Sequence, residues 1–256
     1  MSWLFFIIIG FIGFNVFIGG RKGFFKTAIS MLFLVLVLIL ASLLNPYVAQ
    51  FLRENTPVYE TVRNKTEEAM TSYLIKEAED KFTEEDKAKM EMAGISPKEI
   101  LGQEIPEDMQ ATILENLPLP NIFKQNIINN NKIDIYELLG VDKFIDYVAS
   151  YVAYSITNGI AFLLSFTLAI VIIKVTLYAI NILTALPGIS LVNSLGGMLL
   201  GGAQAILWIW VFFIVVTVIC NTSFGNVLMN EIENDMFLSF MYEKNVFLPV
   251  VMKIFA

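Results

Sequence analysis

Histidine is absent from the chain, and cysteine occurs once, as Cys220. The first absence removes the commonest general base and the commonest metal ligand together. The second excludes an intramolecular disulfide and leaves Cys220, at the end of an apolar run, as a small apolar filler. Charge is scarce as well. Asp, Glu, Lys and Arg make up 16% of the residues, against about 25% in a soluble globular domain. The shortfall is concentrated: residues 1–20, 27–52, 147–173 and 175–230 carry no charge at all. No P-loop, no Gly-x-Ser-x-Gly and no zinc-ligand spacing occurs, so the sequence offers no catalytic residue, no cofactor site and no metal site. Glu67-Glu68 and Glu84-Glu85-Asp86 lack the spacing and bidentate glutamate of a calcium loop and read as solvated helix faces.

What fills the uncharged windows is apolar, 56% of the chain by composition. Crossing the hydrocarbon core takes roughly 20 mostly apolar residues, and each window is long enough. The first is not patterned as a signal peptide. Its positive charges, Arg21, Lys22 and Lys26, follow the apolar stretch rather than precede it, and no small-residue cleavage site follows. It reads as a retained helix from Trp3 to about Gly19. A glycine-rich basic turn then leads into a second helix from about Phe24 to Ala49. A third is expected to start near Asp142 and to cross from roughly Tyr151 to Ile173, with Tyr147, Tyr151 and Tyr154 as an aromatic entry belt. A fourth runs from about Leu195 to Val218.

Between the two hairpins the composition changes. From Arg53 to Asp146 there are 20 acidic and 11 basic residues, a net of −9, whereas the rest of the chain is at +2. Val58, Tyr59, Val62, Ala69, Met70, Tyr73 and Leu74 recur at helical spacing. Thr56-Pro57 forms a helix start, Ser96-Pro97-Lys98-Glu99 has the form of a capping box, and Pro106, Pro118 and Pro120 separate short helices. After Asn221, the stripe Ile232, Met236, Phe237, Phe240, Met241, Phe247 and Leu248 suits a helix lying on the membrane surface.

The expected fold is all-α: a polytopic membrane protein with about four transmembrane helices plus a helical extracytoplasmic insert. Its parts are a first transmembrane hairpin (1–49), the acidic insert (50–145), a second transmembrane pair (146–220) and an amphipathic C-terminal tail (221–256). The basic turn Arg21, Lys22, Lys26 and Lys174 fall on one side of such a bundle. The positive-inside rule makes that side cytoplasmic and places the acidic insert outside. With its acidity in one block, the chain is not a nucleic-acid binder. Its partners are the lipid bilayer, a second copy of the chain, or an envelope or secreted protein.

Gly197, Gly201 and Ala205 are four residues apart and share one face of the fourth helix. Small residues there let two backbones approach closely, the usual means of packing in lipid. Lys174 ends the third crossing by snorkelling to the interface. Asn15, Asn158, Ser165, Thr167, Asn181 and Gln204 are expected to bond between helices.

Three stretches together resemble the colicin V production protein family. They are Gly19-Gly20-Arg21-Lys22-Gly23-Phe24, Leu186-Pro187-Gly188-Ile189, and the run from Leu191 to Gly202. Many members begin the last motif with an aspartate-arginine style pair; here Asn193-Ser194 stands there, without charge. The resemblance covers roughly residues 3–49 and 147–220. It implies a multi-pass protein of the bacterial cytoplasmic membrane, a non-enzymatic scaffold supporting toxin (bacteriocin) production, secretion and envelope homeostasis. The alternative left open is a small oligomeric channel or transporter.

Overall fold

The computed structural model describes residues 2–81, 107–117, 119–180 and 191–253. The expected helix from Thr83, the capping box at Ser96, the cluster Glu84-Glu85-Asp86, Pro106, Pro118, Asn181 and Leu186-Pro187-Gly188-Ile189 lie outside them. Among the described residues there are only helices: α1 Trp3–Lys22, α2 Phe24–Asn55, α3 Val58–Lys81, α4 Glu107–Asn116, α5 Asn121–Asn129, α6 Ile133–Leu139, α7 Phe144–Ile180, α8 Leu191–Val218, α9 Ser223–Glu233, α10 Met236–Glu243 and α11 Leu248–Met252. The fold is all-α, and α1, α2, α7 and α8 are long and apolar enough to cross a membrane. The chain divides into two units, residues 1–54 with 157–253 and residues 55–156.

The first unit holds the greater part of the apolar sequence. α1 opens on Ser2, whose hydroxyl accepts from the Leu4 N–H at 3.0 Å, a conventional N-cap. At 20 residues it spans about 30 Å, the thickness of the hydrocarbon core. α2 has 32 residues, about 48 Å, and so extends beyond that core or tilts within it. Pro46 lies inside α2. Lacking an N–H, it leaves the Ser42 carbonyl without its helical donor. Leu34, Val37, Leu38 and Ala41 of α2 pack with Phe162, Phe166 and Ala169 of α7, Val211 and Ile214 of α8, and Val251 of α11. A second cluster joins Ala49 and Leu52 to Ala161. On the outside the helices stay apolar: Phe6, Phe14, Leu36, Leu43, Val171 and Leu199 are all exposed. A face like that is at home against lipid tails, which cost it nothing in solvation.

The tail is not a separate surface helix. α9, α10 and α11 return to the bundle and bury part of the stripe, including Ile232, Met241 and Leu248. The Trp210 indole N–H of α8 donates to the Met241 carbonyl at 3.1 Å, and Asn245 Nδ2 donates to the Trp210 carbonyl at 2.9 Å. Thr217 and Tyr242 share a buried hydroxyl pair at 2.7 Å. An amphipathic stripe states only that one face is covered. Here protein covers much of it, while Met236 and Phe240 remain exposed.

The second unit comprises α3 to α6 and the start of α7, with its own core of Met70, Ile113, Leu114, Phe123, Ile127, Tyr147 and Tyr151. The acidic insert is thus a packed helical body. Two readings of the pattern shift. Ala69 is exposed, and the inward face of α3 instead includes Thr66, whose hydroxyl is satisfied by the Val62 carbonyl at 2.9 Å. Tyr147 and Tyr151 are core residues, not an interfacial belt: Tyr147 stacks on Tyr136 with centroids 4.5 Å apart and donates its hydroxyl to the Ile127 carbonyl at 2.8 Å. Burial pushes the Tyr136 phenol up to about 12. Arg63 of α3 reaches Asp146 of α7 at 3.7 Å.

Candidate functional site: the glycine seam and the basic turn

α1 and α8 run antiparallel and touch backbone to backbone. A Cβ placed on Gly19 would strike the Gly197 carbonyl and stand 3.0 Å from the Gly201 Cα. One placed on Gly197 would strike the Gly19 carbonyl, and one on Gly201 the Asn15 carbonyl. Each of the three carbonyl approaches is closer than a real methyl group tolerates, so hydrogen is the only side chain that fits. Ala205, one turn further along α8, is fully buried. Close approach of this kind maximises dispersion contacts where lipid provides no hydrophobic drive.

At one end of this seam the chain reverses through a single residue. Gly23 adopts φ 78°, a conformation open to glycine, and its N–H returns to the Gly19 carbonyl at 2.9 Å. The start of α8 holds the reversal in place. Asn193 Oδ1 accepts from the Phe24 N–H at 2.7 Å and so caps α2. The Ser194 hydroxyl donates to the Gly20 carbonyl at 3.0 Å. The Thr27 hydroxyl donates to the Gly23 carbonyl at 2.8 Å and lies 3.3 Å from that of Gly19. The uncharged pair Asn193-Ser194 therefore serves both helix ends, one residue as an acceptor and the other as a donor. The sequence marks these residues only as a departure from a motif, since nothing local says that a turn about 170 positions away will meet them.

Arg21, Lys22 and Lys26 are exposed around this locked turn. The Arg21 guanidinium lies 5.7 Å from the Phe17 ring centroid. Among the described residues none of the three cations has an ion-pair partner. Lys174 is also exposed, near the far end of the third span.

At the opposite end of α1, Asp235 caps α10. Its Oδ1 accepts from the Phe237 and Leu238 N–H groups at 3.1 and 3.2 Å, and Oδ2 accepts from the Ser2 N–H at 3.3 Å. Desolvation acts to raise this carboxyl, but the donors from Ser2, Leu238 and Phe237 together hold it below the ordinary carboxylate range. Nearby in sequence, burial pushes the Cys220 thiol up to about 12, a structural and unreactive setting. Asn158 bridges Arg53 Nη1 at 3.0 Å and the Lys253 carbonyl at 2.8 Å.

Three of the other intramembrane polar groups, Asn15, Thr167 and Ser165, differ from expectation. Asn15 and Thr167 bond back to their own helices, at the Phe11 and Leu163 carbonyls, because those carbonyls are within reach of a short side chain on the same turn. Asn45, which no sequence pattern singles out, is fully buried with both amide atoms unpaired, and the buried Ser165 hydroxyl is unpaired too. A groove of about 320 Å³ between α2, α8 and Phe247 is apolar, its one hydroxyl, Ser42, being bonded to the Leu38 carbonyl at 3.0 Å. No three acidic or thiol side chains among the described residues gather as a metal site.

The chain matches no curated protein and no solved structure. Residues 139–251 match the family model of the colicin V production protein. The matched stretch takes in α7, α8 and the returning tail, and leaves out the first hairpin. It includes Asn193, Ser194, Gly197 and Gly201, the α8 side of the seam just described. The chain is an all-α protein with four helices long and apolar enough to cross a membrane, and its C-terminal part, residues 139–251, is similar to the colicin V production protein family.

Proposed function

We propose that this protein is a non-enzymatic scaffold of the bacterial cytoplasmic membrane that supports the production and secretion of a peptide toxin and, more broadly, envelope homeostasis. The observation that carries the reading is the family match on a bundle of four apolar spans, with its motif residues engaged in locking one hairpin to another. Residues devoted to holding helices together suit a platform on which other envelope components assemble. The acidic second unit, outside the membrane on the positive-inside argument, is the surface such a partner would meet.

The test is deletion of the protein from a toxin-producing strain, with toxin measured separately inside cells and in the medium. The scaffold reading expects secreted toxin to fall and to return with the wild-type chain but not with Gly201→Leu. Purified protein in sealed liposomes is expected to pass neither ions nor small solutes. Flux in that assay would replace the scaffold with the channel or transporter alternative.

A further inference from the structure

We propose that the turn between α1 and α2 is a built binding surface for the phosphate group of an anionic phospholipid, recognised by Arg21, Lys22 and Lys26. Three cations lie within six residues, all exposed, and none is paired to an acid among the described residues. The first unit's acidic residues are Glu54, at the far end of α2, and Glu231, Glu233, Asp235 and Glu243 in the tail. The tail returns to the start of α1, where Asp235 meets Ser2. The turn is therefore uniformly positive.

Basic residues at a helix carboxyl end often serve its own carbonyls, and here other donors serve those of Gly19 and Gly20. The Gly19 carbonyl accepts from the Gly23 N–H, the Gly20 carbonyl from Ser194, and the Gly23 carbonyl from Thr27. Arg21 and Lys22 are left free to engage something else. The backbone that presents them is held by Asn193 through the Phe24 N–H, so the cations project from a fixed frame.

Depth selects the ligand. A single residue separates two membrane-crossing helices, so the turn lies where the chain leaves the hydrocarbon, at headgroup level. Phe17, Phe24 and Phe25, all exposed, flank it and set that depth by entering the acyl region. Clustered basic residues at this level favour anionic lipid, whereas a zwitterionic headgroup provides no net attraction.

The experiment uses the full chain purified in mild detergent and titrated with phosphatidylglycerol or phosphatidylcholine, bound lipid being counted by native mass spectrometry. Retention of phosphatidylglycerol is expected to exceed that of phosphatidylcholine about tenfold. The combined variant Arg21→Gln, Lys22→Gln, Lys26→Gln should lose the preference, while the charge-keeping Arg21→Lys should hold it. Millimolar inorganic phosphate should leave the lipid in place. Equal retention of the two lipids, an unchanged preference in the triple variant, or displacement of lipid by inorganic phosphate would each overturn the proposal. Should the triple variant fail to purify, Lys22→Gln and Lys26→Gln singly are each expected to weaken the preference severalfold, and no change in either would overturn it equally.

Discussion

At the scale of single residues, free space decides what each position tolerates. Gly201 faces the Asn15 backbone with no room for a methyl group, whereas Gly10, on the exposed side of α1, has nothing within 4 Å of a would-be Cβ. Gly201→Leu should therefore destabilise by at least the roughly 1–3 kcal/mol typical of overpacking. Gly10→Ala should leave thermal stability in detergent unchanged or slightly raised. Equal melting temperatures for wild type and Gly201→Leu would remove the seam as a stabilising contact. Asn45 makes the opposite case. A buried amide without partners costs about 1–3 kcal/mol, so Asn45→Ala should not lower the melting temperature, and a fall of several degrees would show that the amide has a stabilising role. Asp235 links stability to pH. Its folded carboxyl lies below the unfolded value, so its contribution is full above the ordinary carboxylate range near 4 and is lost as the pH falls through the folded value. A pH series of melting temperatures should show that acid-side loss in the wild type and a weaker one in Asp235→Asn.

At the scale of elements, the least legible feature of the sequence was the destination of the tail. Periodicity marks the stripe from Ile232 to Leu248 as amphipathic. It is silent on whether lipid or protein covers it, since both are apolar. The structure buries Val251 in the main cluster and ties Trp210 to Met241 and Asn245. Limited proteolysis of the intact protein is therefore expected to spare residues 223–252, and truncation after Cys220 should lower stability sharply because it opens the core at Phe162 and Ile214. Rapid clipping within the tail would mean that it detaches. The same ambiguity misplaced Tyr147 and Tyr151. An aromatic cluster at the end of an apolar run reads alike as an interface belt or as a core, and only α5 and α6 packing over it separates the two.

At the scale of the whole molecule, orientation is the open physical question, and it rests on Arg21, Lys22, Lys26 and Lys174. In a Cys220→Ala background, single cysteines replacing Lys22 and Glu68, both exposed, should react with an impermeant thiol reagent from opposite faces of the membrane. Glu68→Cys should be labelled in intact cells and Lys22→Cys only after the membrane is breached. The reverse pattern would invert the topology and place the acidic unit inside.

The all-α class, the four spans and the acidic block between hairpins were determined by the sequence alone. Each follows from a one-dimensional quantity: run length without charge, helical periodicity, or net charge per segment. The seam could be half seen, because Gly197 and Gly201 lie on one face of one helix whatever they meet. What they meet was settled only by the tertiary structure. Gly19 lies across from them, Asn193 and Ser194 serve two helix ends in another hairpin, and Asn45 is fully buried with its amide unpaired. Such facts depend on which surfaces approach one another in three dimensions. In a chain where nearly every face is apolar, hydrophobicity cannot rank those approaches; backbone shape and a few hydrogen bonds do.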